Sequence, residues 1–197
     1  MGNLDARLDH KIREMTEVLE FTRSLPEIPR VVDVITAAFE KGHHLFAAGN
    51  GGGACNADQM IGEFVGRFRF QREPYPAFSI PGLSGMTAIG NDFGFDKIYA
   101  RQVLGCLKPG DVFIGFSCSG TSPNILEAVR AANNIGVTTI GFSGWTGRLY
   151  KEASIGVAIP PCNLQTLEEV QLILTHIICE QVEERLCAND PSAIRLI

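Results

Sequence analysis

The chain has 197 residues, 45% of them hydrophobic and 20% charged, with a net charge of −5. It is long and apolar enough to bury a full-sized core, and too weakly charged to be a disordered chain. No long Lys/Arg cluster occurs, which argues against nucleic acid or anionic membrane as partner, and no apolar run reaches the roughly 18 residues of a membrane span.

Met1 to Arg23 is charged throughout and does not read as a signal peptide. The six cysteines, Cys55, Cys106, Cys118, Cys162, Cys179 and Cys187, lie far apart with no CxxC pair, which fits reduced thiols in the cytoplasm. Without repeats or low-complexity tracts, residues 1–197 read as one domain, with N-terminal helices in 5–41 and an α/β core in 42–187.

In chain order, Leu8, Ile12, Met15, Leu19 and Phe21 form a rough stripe on a helix from Asp5 to about Arg23. A second helix runs from about Ile28 to Lys41 and stops at Gly42. The apolar run from His44 to Ala48 reads as a buried strand, followed by a glycine cluster and a helix from about Asn56 to Arg67. Tyr75 to Ile80 is a candidate strand, and Phe95 to Leu107 a helix closed by Lys108-Pro109-Gly110. Asp111 to Phe116 is the clearest strand. A helix from Pro123 to about Asn134, strands at Val137–Phe142 and Ile155–Ile159, and a long helix from about Leu164 to Leu186 follow. The tail after Cys187 is expected to be loose.

Strands alternating with helices imply a parallel sheet covered on both faces, with ligands at the carboxyl ends of the strands. Both glycine-rich loops follow strands and precede helices, so both fall on that edge. Gly49-Asn50-Gly51-Gly52-Gly53-Ala54 matches G-x-G-x-x-A, a dinucleotide fingerprint, but no convincing acidic residue follows about 20 positions on. A tight turn, or close approach of backbone to another ligand, is the better reading. Ser117-Cys118-Ser119-Gly120-Thr121-Ser122-Pro123 crowds hydroxyls ahead of a helix whose first turn suits Pro123. One serine suffices as a cap; the surplus points to a phosphate held by hydroxyls and a helix N-terminus.

Gln59 and Glu63 share one face of a helix. Glu168 and His176 lie eight apart on the apolar last helix, either as a core His with a partner or as a site. Cys118, beside hydroxyls and a helix N-terminus, has a setting that lowers a thiol pKa. His43 and His44 open a strand and read as structural. Asn91 and Asp92 stand just ahead of a helix, as a cap or as sugar contacts.

The stretches Ala48–Gly52, Glu63–Phe68, Gly90–Gly94 and Ser117–Asn124, in this order and spacing, resemble the phosphoheptose isomerases of the sugar isomerase (SIS) superfamily. The resemblance covers nearly the whole chain. It implies a flavodoxin-like three-layer α/β fold, a homotetramer with shared active sites, and conversion of sedoheptulose 7-phosphate to D-glycero-D-manno-heptose 7-phosphate through an enediol. It assigns phosphate binding to Ser117, Ser119 and Ser122, the sugar pocket to Asn50, Arg67 and Asp92, and further substrate contacts to Gly51, Gly52, Asn91, Cys118 and Glu168. Glu63 and His176 fall on the acid/base positions. It also implies zinc or another divalent metal at Gln59, Glu63, Glu168 and His176. Gln59 replaces a usual His and Glu168 a usual Gln, and an acidic position before the last helix is Gln165. These exchanges keep open a different phosphosugar, or a non-catalytic SIS module that binds phosphosugars as a regulator or serves as an adaptor for a replication initiator.

Overall fold

The computed structural model describes residues 4–80, 82–188 and 190–196. Helices α1 (Leu4–Thr22) and α2 (Glu27–Glu40) lead into β1 (Leu45–Gly49), α3 (Gly52–Val65) and the short β2 (Phe70–Gln71). Strand β3 (Ala77–Ser79), α4 (Leu83–Phe93), a 3-10 turn at Phe95–Lys97 and α5 (Ala100–Cys106) follow. The second half runs β4 (Val112–Ser117), α6 (Pro123–Asn134), β5 (Thr138–Gly144), α7 (Leu149–Glu152), β6 (Ile155–Ile159), α8 (Leu164–Cys187) and β7 (Ile194–Arg195).

Five parallel strands make the main sheet in the order β3-β1-β4-β5-β6. Every residue of β1 and β4 is buried, as expected for central strands covered on both faces. One core layer joins α2, α3 and α8 to the sheet through Val31, Ile35, Met60, Phe64, Val170 and Ile178. The other joins α5, α6 and α7 through Val103, Ile125, Val129 and Leu149. The result is the three-layer α/β architecture with N-terminal helices.

From β1 the chain moves outward to β3, then returns to β4 on the other flank of β1. The helices after β1 and β4 lie on opposite faces, so a crevice opens between the ends of these two strands. Both loops singled out in the sequence border it.

Several elements differ from the sequence expectations. Helix α3 begins at Gly52, four residues early, because the glycine loop turns within Asn50–Gly51 and Gly51 takes φ 53°. Gly49 must be glycine: a Cβ there would lie 2.2 Å from the carbonyl carbon of Gly53. Helix α4 was not expected; its Gly, Ser and Thr content hides it and none of its residues is buried. Asn91 and Asp92 therefore end a helix and do not cap the next one. The expected Phe95–Leu107 helix is a 3-10 turn and a separate α5. Of the tail expected to be loose, residues 189 and 197 lie outside the described residues, whereas Ile194–Arg195 pairs antiparallel with Phe70–Gln71.

The N-terminal helices also divide. Helix α2 belongs to the core, with Val31, Val32 and Ile35 wholly buried. Helix α1 lies on α8 and buries Val18 and Thr22, but Leu4, Leu8 and Ile12 are more than half exposed.

Candidate active site

The two crevice loops are locked together by a reciprocal amide pair. Asn50 Nδ2 donates to Asn124 Oδ1 at 2.9 Å, and Asn124 Nδ2 donates back to Asn50 Oδ1 at 2.8 Å. Asn124 Oδ1 also accepts from the Ile125 amide at 3.0 Å, inside the first turn of α6. Tyr99 adds a second tie, its hydroxyl donating to the Gly49 carbonyl. Neither Asn124 nor Tyr99 was assigned a role from sequence; both work through contacts across the sheet edge.

The hydroxyl loop is compact. The Ser117 and Ser122 hydroxyls bond each other at 2.9 Å, so Ser122, the N-cap residue of α6, does not use its side chain to cap the helix. Ser119 Oγ accepts from the Thr121 amide at 3.2 Å and its hydroxyl at 3.1 Å. Gly120 turns the loop at φ 64°, and its carbonyl accepts from the Arg148 and Leu149 amides at 2.8 and 2.9 Å. A Cβ at Gly120 would meet the Gly147 backbone at 2.7 Å. Three serine hydroxyls thus stand on one turn at the start of a helix.

Cys118 points the other way, toward α8. Its thiol lies 3.7 Å from Glu168 Oε1 and 3.8 Å from Gln171 Oε1. Burial, reinforced by the Glu168 carboxylate, pushes its pKa up to about 12. The sequence setting suggested a lowered pKa; half-burial beside a carboxylate outweighs the helix N-terminus. The Glu168 carboxylate packs so closely on Gly52 that a Cβ there would lie 2.5 Å from it. Gly52 opens α3, so this anion occupies a helix N-terminus.

Glu63, in the last turn of α3, meets His176, at the middle of α8. Glu63 Oε1 lies 3.8 Å from His176 Nε2, with the His side chain 40% and the Glu 15% exposed. Gln59 donates its amide to the same Glu63 oxygen. The His176 ring stacks on Phe68, centroids 5.7 Å apart and planes 22° apart. Arg67 is exposed and donates to Gln71 at 2.8 Å. Asn91 and Asp92 are exposed and bond each other at 2.8 Å.

The structure thus brings Gln59, Glu63 and His176 together and leaves Glu168 elsewhere. Eight residues of helix separate Glu168 from His176, about 12 Å of rise. The implied metal set does not converge within one chain. Among the described residues no three His, Cys, Asp or Glu side chains gather to hold a metal. One carboxylate, one imidazole and an amide that turns its N–H to that carboxylate fall short of the three or four donors zinc takes. Likewise, no described helix is long and apolar enough to cross a membrane.

A parallel sheet with a hydroxyl-rich turn at its switch point and a Glu–His pair between two helices defines a doubly wound α/β domain with its candidate site at the strand ends. The SIS domain model matches residues 10–144. The chain is 40% identical over 171 residues to the phosphoheptose isomerase of Synechocystis sp., covering 86% of this chain and 88% of that one. It is 40% identical over 176 residues to the phosphoheptose isomerase of Burkholderia pseudomallei, covering 88% and 89%. In structure it is similar to the phosphoheptose isomerase of Neisseria gonorrhoeae, with a TM-score of 0.83 at 25% identity over 92% of this chain and all of that one. The chain belongs to the phosphoheptose isomerase family of SIS-domain proteins.

Proposed function

We propose that the chain interconverts sedoheptulose 7-phosphate and D-glycero-D-manno-heptose 7-phosphate. The contact between Glu63 and His176, 3.8 Å apart, carries the reading. Moving a carbonyl between adjacent carbons needs a base that carries a proton from carbon to carbon, and an acid that serves the two oxygens. The Glu63 carboxylate takes a proton from C1 of the ketose and returns it to C2. His176 gives a proton to O2 and takes one from O1, through an enediol.

Ser117, Ser119 and Ser122 anchor the phosphate and fix the register of the sugar, so that binding energy far from the reacting carbons contributes to rate. His176 lies eight residues along α8 from Glu168, which contacts the loop at Cys118, a rise of about 12 Å, and Arg67, Asn91 and Asp92 are exposed. The exposed Leu4, Leu8 and Ile12 of α1 offer a surface for another copy. The reading therefore includes a homo-oligomer, by family resemblance a tetramer, whose sites combine groups from neighbouring copies. All six cysteines are free, which suits a cytoplasmic enzyme.

Incubating the purified protein with sedoheptulose 7-phosphate and following the aldose by NMR tests this. Absence of turnover sinks the assignment. Turnover by a species that light scattering shows to be monomeric removes the shared site and keeps the chemistry.

A further inference from the structure

Arg72 and Glu183 form an ion pair at 2.8 Å whose side chains are each only 1% exposed. Burying two charges carries a desolvation penalty, and such a pair is poor ground for stability by itself. What it holds is therefore informative. Arg72 Nη2 donates to the Glu63 carbonyl at 2.8 Å, and Nη1 to the Phe64 and Gly66 carbonyls at 2.9 and 3.1 Å. A helix leaves its last carbonyls unpaired, and a cation there also suits the helix dipole. The guanidinium lies 4.1 Å from the centroid of the Tyr75 ring, which fixes its plane.

Glu183 reaches the other partner. Its Oε1 accepts from the Phe68 amide at 3.3 Å and from Arg72, while Oε2 accepts from the Arg69 amide at 2.6 Å. Phe68 is the residue whose ring stacks on His176. The pair thus grips the main chain of Glu63 on one side and the residue against His176 on the other. Glycine or water would satisfy the end of α3 without burying two charges.

We propose that Arg72 and Glu183 are positioning residues that set the geometry between Glu63 and His176. The proposal rests on the reading of those two as acid and base. Neither Arg72 nor Glu183 need touch substrate.

The test uses the full chain with sedoheptulose 7-phosphate and three variants. Glu183→Gln keeps shape and an acceptor but removes the charge. Arg72→Lys keeps charge but loses the planar fork that spans the carbonyls. Phe68→Leu leaves the ion pair intact and removes only the ring against His176. For each, kcat is normalised to sites that bind inorganic phosphate, at a temperature where circular dichroism shows the native fold. Misplacing a reacting group by an ångström costs on the order of 10²-fold. We expect kcat to fall by about that factor in Glu183→Gln and Arg72→Lys, and about tenfold in Phe68→Leu, with KM and phosphate affinity unchanged. A merely structural role lowers melting temperature and the number of binding sites while leaving kcat per site intact. That outcome in the folded variants overturns the proposal, and so does an unchanged kcat in Phe68→Leu, because Glu183 then reaches nothing that sets His176. Glu63→Gln runs alongside: if it stays active, the acid/base reading itself falls; if it alone loses activity, only the positioning role falls.

Discussion

At the carboxyl ends of β1 and β4 the candidate site is made of backbone, hydroxyls and amides, whereas between the last turn of α3 and the middle of α8 it is made of a carboxylate and an imidazole braced by a buried ion pair. The first region is a tied turn: the Ser117–Ser122 bond, the Gly120 bend and the Asn50–Asn124 amide pair leave little to rearrange. The second places one carboxylate and one imidazole, and under the proposed acid/base roles any looseness there acts directly on a proton transfer. An anchor tolerates the loss of one donor among several; an acid/base pair does not tolerate the loss of either member.

The largest effect should come from the second region. Glu63→Gln keeps shape and hydrogen bonding but cannot take a proton, so kcat should fall by about 10²–10⁴-fold with phosphate affinity unchanged. His176→Asn should behave alike. Steady-state kinetics with sedoheptulose 7-phosphate measures both, and a variant that loses affinity in place of rate would break the division between the two regions.

A smaller effect of the opposite kind is expected at the anchor. Ser119→Ala removes one hydrogen bond to a charged group, about 1.5–3 kcal/mol, so KM should rise roughly 10–100-fold while kcat moves little. A loss confined to kcat would place Ser119 in the chemistry and erase the contrast.

The two regions also differed in how far the sequence exposed them. The phosphate turn is seven consecutive residues, and a surplus of hydroxyls before Pro123 is visible without any fold. The alternation of strands and helices placed it at the sheet edge, and α6 and β6 have the bounds their patterns suggested. The Glu–His pair is different: its members are more than a hundred residues apart, and each has an ordinary helical setting. Only resemblance joined them. The Arg72–Glu183 pair, 111 residues apart, is invisible in the sequence, because a buried ion pair leaves no periodic or local mark. Glu168 shows the converse. Sequence spacing grouped it with His176, while its carboxylate packs on Gly52 beside Cys118.

That placement of Glu168 gives a third test, on the quieter side of the anchor. With a pKa pushed up to about 12, the Cys118 thiol is almost wholly protonated at neutral pH. Alkylation with iodoacetamide at pH 8, followed by peptide mass spectrometry, should label the exposed Cys55 and Cys106 well before Cys118. Glu168→Gln removes one cause of the shift and should speed labelling at Cys118. If Cys118 reacts first, the helix N-terminus governs the thiol and the carboxylate is not where the structure puts it.

The smallest expected effect concerns α8, which spans both regions and is pinned differently at each end. Its far end is held by the buried Glu183; its first turn is held by an exposed carboxylate on α1. Glu14 accepts from the Asn163 amide at 3.0 Å and the Thr166 hydroxyl at 2.5 Å, and Lys11 bonds Thr166 and Glu169. The Asn163 backbone bond, then the Thr166 hydroxyl, hold the Glu14 pKa below its ordinary value of 4.5. A carboxylate with a depressed folded pKa contributes stability that is present above the unfolded value and lost as pH falls through the folded one. Docking of α1 should therefore be intact above pH 4.5 and weaken only below it, while the buried end of α8 holds. The chain has one tryptophan, Trp145, and Phe21 of α1 packs edge-on against it at 5.6 Å, so its fluorescence reports this docking. On acid titration the signal should change with a midpoint below 4.5, and Glu14→Gln should abolish the step at modest cost, as expected for an exposed charge. An unchanged step in Glu14→Gln would mean that another group ties α1 to the start of α8.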